Sequence, residues 1–245
     1  MYTLSSISMK LWLVTIALLL FGGYTKAQQN TVKFNLLPLV SKTFSFEYER
    51  RIKDRISINT SLGFRGKSSL PFKSTFQDIA DDDEFFEDAT LSHFTLSPEL
   101  RFYTSKNYKD ENRGFYFGPF IKYAKYNFGT NFEYTVENSA PETIPLDGSV
   151  GTWSAGIAIG SQFKLTESLF LDLRILGPHF GTSNIKMQGK KSLTAEEQEI
   201  VRQDLGDLDN DYFKIDKEIN SEGVTLTSKG PWAGIRAGVS LGYRF

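Results

Sequence analysis

Cysteine is absent from this chain of 245 residues. Its absence excludes disulfides, thiolate chemistry, cysteine-held zinc and a lipidated N-terminal cysteine. Histidine is scarce, so any histidine base would be His93 or His179. Neither sign of charge is in excess, with 28 Lys and Arg against 29 Asp and Glu. Such a chain has no surplus with which to neutralise a phosphate backbone, and nucleic acid is not an expected partner. No stretch reaches the roughly 18 consecutive apolar residues of a membrane helix, so any crossing of a bilayer would not be helical.

At the N-terminus, Lys10 precedes an apolar run over residues 11–21, followed by Thr25-Lys26-Ala27. A basic residue, a short apolar segment and a small-x-small site are the parts of an export signal, and the run is too short for a comfortable span. Residues 1–27 therefore read as a cleaved signal peptide and 28–245 as the mature domain.

The mature part is rich in aromatics, with 21 Phe and 11 Tyr in the whole chain. These residues favour strands and membrane interfaces. Beyond residue 30, apolar and polar residues alternate in about eight runs. Phe44, Phe46 and Tyr48 alternate with Ser45, Glu47 and Glu49. Trp153, Ala155, Ile157 and Ile159 alternate with Ser154, Gly156, Ala158 and Gly160. Ile235, Ala237, Val239, Leu241, Tyr243 and Phe245 alternate with Gly234, Arg236, Gly238, Ser240, Gly242 and Arg244. Period two marks strands with two unlike faces. Near Ala124-Lys125 the phase slips, which reads as a bulge or as an exit from a membrane.

The links near Lys53-Asp54 and Thr166-Glu167 are tight and 105–113 is modest, whereas 66–90, 135–149 and 181–228 are long and polar. An even number of strands, each about the 9–11 residues needed to cross a bilayer at a tilt, with short turns at one end and long links at the other, is the outer-membrane arrangement. The expected fold is all-β: an eight-stranded antiparallel transmembrane β-barrel with long external loops. One of these would carry a short helix over 194–205, opened by the capping box Thr194-Ala195-Glu196-Glu197. The terminal Tyr243-Arg244-Phe245 resembles the assembly signal of outer-membrane proteins, with Tyr243 and Phe245 as its outward aromatics.

Two segments carry a family resemblance. One is Lys33-Phe34-Asn35-Leu36-Leu37-Pro38 through Phe46-Glu47-Tyr48-Glu49-Arg50, with Gly63-Phe64-Arg65 and Ser69-Leu70-Pro71-Phe72. The other is Ile175-Leu176-Gly177-Pro178-His179-Phe180-Gly181. Both resemble a family of uncharacterised small outer-membrane barrels of Gram-negative bacteria, known as a domain of unknown function. The resemblance implies the fold and the cell outer membrane as location, and supplies no activity.

The inward phase of the strands carries Glu47, Glu49, Glu99, Arg101, Asp172, Arg174 and Arg244. An eight-stranded barrel has an interior just wide enough for side chains to fill. The expectation is a paired ionic plug, with a narrow conducting path or proton relay as the alternative. His93 and His179 show no nucleophile–base spacing, and His179 is expected at the outer rim. Asp207, Asp209, Asp211 and Glu218 match calcium-loop spacing, but Tyr212 replaces the required glycine. They read, like 81–84, as a solvated acidic loop.

No metal, cofactor or catalytic residue is expected. The functional expectation is a non-enzymatic outer-membrane barrel whose external loops meet a ligand, a partner or a surface. The alternatives are an enzyme acting on lipid or peptide and a narrow solute channel. Expected partners are outer-membrane lipid and the barrel-assembly machinery.

Overall fold

The structure, a computed structural model, describes residues 29–74, 87–104, 114–136, 140–205 and 214–245. The signal segment, the acidic run 81–84 and the calcium-like Asp207, Asp209 and Asp211 lie outside the described residues.

The strands are β1 (Asn30–Asn35), β2 (Phe44–Lys53), β3 (Ile56–Ser69), β4 (Thr90–Tyr103), β5 (Gly114–Tyr134), β6 (Glu142–Lys164), β7 (Leu169–Lys190), β8 (Lys214–Asn220) and β9 (Gly223–Arg244), accompanied by a 3-10 turn over Leu37–Ser41 and the helix α1 (Ala195–Asp204). Strands β1 to β7 pair in sequence order, β7 pairs with β9, and β9 returns to β1. Eight antiparallel strands therefore close a ring, and β8 is added only to the edge of β9. The seam sets Thr31 opposite Arg244 and Asn35 opposite Ser240. Its last rung is an exchange of backbone hydrogen bonds between Asn30 and Phe245, at 3.2 and 2.9 Å. Closure leaves no sheet edge in the ring to be satisfied by water.

The two faces of the ring are inverted relative to a soluble protein. Phe46, Ile121, Ile157 and Leu241 point outward and are exposed, while Glu47, Glu49, Glu99 and Asp172 are buried inside. An apolar exterior around a polar interior is the pattern of a transmembrane barrel. Aromatic pairs mark both ends of the apolar belt: Phe102 and Phe117 near the short-turn end, 5.2 Å apart, and Tyr123 and Trp153 near the other, 5.0 Å apart. Beyond Tyr123 the outward residues turn polar, starting with Lys125 and Asn127.

Several expectations are corrected. Strand lengths are uneven: β1 has 6 residues, whereas β5, β6, β7 and β9 have 21 to 23. Much of the sequence expected as long loops over 135–149 and 181–228 is strand. The upper parts of β5, β6, β7 and β9, with β8, form a sheet standing above the apolar belt. The polar composition that suggested loops belongs to strands surrounded by water, where an outward apolar residue has no advantage.

No bulge interrupts β5 near Ala124-Lys125; the ladder to β6 is continuous from Gly114 to Tyr134. Tyr126 is simply on the inward phase, and the change of pattern is the exit from the apolar belt. The real bulges lie elsewhere, chiefly in β7 between Arg174 and Gly177. There Ile175 and Leu176 both face outward, and the phase of every later β7 residue is reversed.

Helix α1 begins with the expected capping box: the Thr194 side chain accepts from the Glu197 N–H, and the Glu197 carboxylate accepts from the Thr194 N–H. Its buried Val201 and the following Leu205 pack on Tyr134, Ile144, Leu146, Val224 and Leu226 of the upper sheet. The helix thus covers one face of that sheet and gives the extramembrane part its own apolar core.

Candidate functional site

Below the upper sheet, the lumen is filled by one ionic network. Lys33 on β1 donates to Glu49 and Asp172, and to Gln162 Oε1 at 2.7 Å. Arg101 on β4 donates through Nε to Glu99 at 2.6 Å and through Nη1 to Glu49 and Asp172. Arg174 on β7 holds both oxygens of Glu47, at 3.2 and 2.9 Å. Arg236 on β9 reaches Glu99 at 3.4 Å and the Ser61 hydroxyl at 2.9 Å. Each of the four carboxylates is thereby matched by a cation, as burial of charge requires.

Neutral groups occupy the remaining lone pairs. The Tyr103 hydroxyl donates to Glu49 at 2.6 Å, Tyr116 to Asp172 at 2.9 Å and the Asn59 amide to Glu47 at 2.9 Å. The Arg101 guanidinium lies over the Tyr116 ring, 4.2 Å from its centre. These groups are sealed from solvent: Arg101 and Tyr116 are 0% exposed, Glu49 2% and Lys33 3%.

All seven lumen residues expected from the sequence are buried inside the ring. Arg244 sits toward the short-turn end, its guanidinium 3.7 Å from the centre of the Phe170 ring and its Nε donating to Thr31 at 3.3 Å. Sequence reasoning left out Lys33, Arg236, Gln162, Tyr103 and Tyr116. Each lies on an inward phase, and Lys33 between outward Val32 and Phe34 was the plainest signal.

The upper lumen is different. His179 is not a rim residue; the β7 bulge turns it inward, where it is 6% exposed. Its ring takes the place of a side chain at Gly234, and the close approach of its strand leaves no room for one at Gly156. A Cβ at Gly234 would lie 2.8 Å from His179 Nε2, and one at Gly156 would lie 2.8 Å from the His179 Cβ. Phe120 contacts the His179 ring edge-on at 5.9 Å and carries the Arg236 guanidinium at 4.3 Å. His93 packs against Tyr126 at 5.5 Å, and Tyr126 against Trp232 at 5.6 Å. The Nδ1 atoms of His93 and His179 are buried without a hydrogen-bond partner. Among the described residues, no carboxylate orients either imidazole and no group of residues is arranged to hold a metal ion.

A closed ring of eight antiparallel strands, apolar outside and ionically packed inside, defines a small transmembrane β-barrel. The chain belongs to the family described as a protein of unknown function, DUF3575, whose model matches residues 12–203. No curated protein matches. Among solved structures, the chain is similar to the translocator domain of the autotransporter NalP from Neisseria meningitidis, at 10% identity and a TM-score of 0.33, over 98% of this chain and 96% of that one. It is also similar to the β domain of the Bordetella autotransporter BrkA, at 11% identity and a TM-score of 0.31, over 90% of this chain and 99% of that one. At these values neither likeness bears on what the chain does.

Proposed function

We propose that this protein is a non-enzymatic outer-membrane barrel that presents a binding surface to the outside of the cell. The supporting observation is the sealed lower lumen, where Lys33, Arg101, Arg174 and their carboxylates leave no exposed path between them. A barrel closed in this way acts as a pedestal. The part left to meet a ligand, partner or surface is the upper sheet with α1 and the lumen mouth beneath it. Short turns at one end and extended elements at the other support an orientation with the upper sheet outside.

The test is functional reconstitution. The purified barrel in planar bilayers should show no stepwise conductance. On intact cells, added protease should cut within 190–222 while sites near Lys53 and Glu167 stay protected. Ohmic conductance of the folded protein, or cleavage near Lys53 with the outer membrane sealed, would overturn the proposal.

A further inference from the structure

Among the described residues the ionic network accounts for every buried carboxylate, yet cations remain above it. Lys122 projects into the lumen two residues above Phe120, and it is only half-buried. It makes no hydrogen bond or ion pair with a described residue. The charged group that faces it is Arg236, a second cation. His179 faces both of these, and His93 faces Lys122 and Arg65. Arg65 in turn spends its guanidinium on the backbone carbonyls of Leu91, Ser41 and Ser69.

Directly across the ladder from Lys122 stands Ser154. Its side chain is 5% exposed and its hydroxyl has no partner. A buried hydroxyl beside an unpaired ammonium is an incomplete arrangement, because buried polar groups are nearly always satisfied. What both lack is an acceptor carrying negative charge. Further along the inward faces of β5 and β9, the half-buried rings of Tyr126 and Trp232 pack 5.6 Å apart and supply apolar surface. A few convergent polar groups under an apolar wall is the usual make-up of a small-molecule site.

We propose that the upper lumen binds a small organic anion, with its carboxylate or phosphate group held by Lys122 and Ser154 and its ring or apolar part against Tyr126 and Trp232. The floor of the site is the neutral network, so the ligand enters and leaves by the same mouth. The inference rests on the reading of a sealed barrel that binds at its outer end, and names the chemistry of what is bound.

The experiment uses the folded protein extracted in detergent, carrying Trp153→Phe so that Trp232 reports from the lumen. Benzoate, phenyl phosphate and inorganic phosphate are titrated, with benzyl alcohol as the uncharged probe. Saturable change in Trp232 emission with benzoate or phenyl phosphate, absent with benzyl alcohol, is expected. Whichever of the two saturates at lower concentration identifies carboxylate or phosphate as the preferred group. Lys122→Gln should weaken binding by about tenfold or more, the loss of one charge-assisted hydrogen bond. Lys125→Gln, whose side chain is outside the barrel, should not. Heat-modifiable migration verifies that each variant is folded, and Ser154→Ala provides a second, smaller loss if Lys122→Gln fails to assemble. Equal response to benzyl alcohol, or unchanged binding in folded Lys122→Gln and Ser154→Ala, overturns the site. Phosphate flux through proteoliposomes would instead overturn the sealed barrel, so the two failures are distinguishable.

Discussion

Arg174 grips Glu47 with both terminal nitrogens, at 3.2 and 2.9 Å, across a lumen in which their strands are separated around the ring by β9 and β1. A bidentate pair of this kind fixes geometry as well as charge. It ties β7 to β2 directly through the interior, so the barrel is braced across its width and not only around its wall.

Breaking that brace should be costly. Glu47→Ala leaves Arg174 without its main partner and removes a contact from Arg101. Loss of one member of a buried pair typically costs about 3–5 kcal/mol. Glu167, in an exposed pair with Lys164, should by contrast leave the unfolding midpoint unchanged when replaced by alanine. Urea unfolding of both variants in detergent provides the comparison, and coincident midpoints would show that the lumen network does not brace the barrel.

Deleting Phe245 should impair assembly out of proportion to one side chain. The residue supplies the last backbone rung of the seam, to Asn30, and ends the outward stripe that includes Tyr243. We expect less protein in the outer membrane and a weaker folded band on unboiled gels. Arg244→Lys should be milder, because the stripe is intact. Normal levels after the deletion would rule out a role for this strand end in targeting.

The helix should detach without unfolding the barrel. Val201 is fully buried against the upper sheet, and placing a charge there with Val201→Asp forces α1 off its apolar bed. Trypsin should then cleave at Arg202, while the heat-modifiable band of the ring persists. Simultaneous loss of both would mean that the upper sheet and the ring are one cooperative unit.

Acid should release the same helix. Hydrogen bonds from Thr194 and from the Tyr134 hydroxyl, the latter at 2.7 Å, hold the Glu197 carboxyl down to about 2 from its ordinary 4.5. A depressed acid contributes its stability above the ordinary value and loses it as pH falls toward the depressed one. The Glu197 amide resonance in micelles should therefore move with a midpoint near pH 2, well below the ordinary carboxyl value of 4.5. In Glu197→Gln that transition should vanish; its persistence would assign it to another group.

The sequence by itself determined the strands and what each face carries. Period-two alternation is local, so Glu47, Glu49, Glu99, Arg101, Asp172, Arg174 and Arg244 could be assigned to one side of their strands without knowing any partner. Even parity and the contrast between tight and long links gave the barrel for the same reason. The capping box fixed the start of α1, because its two hydrogen bonds involve only Thr194 and Glu197. Only the tertiary structure decided who meets whom. That Lys33 joins Glu49 to Asp172 depends on the ring closing β9 onto β1, which no local pattern encodes. The bulge at Ile175-Leu176 places His179 inside the lumen, since one extra residue reverses the phase of everything after it. Lys122 and Ser154 are remote in sequence, and their shared lack of a partner exists only in the register of β5 against β6.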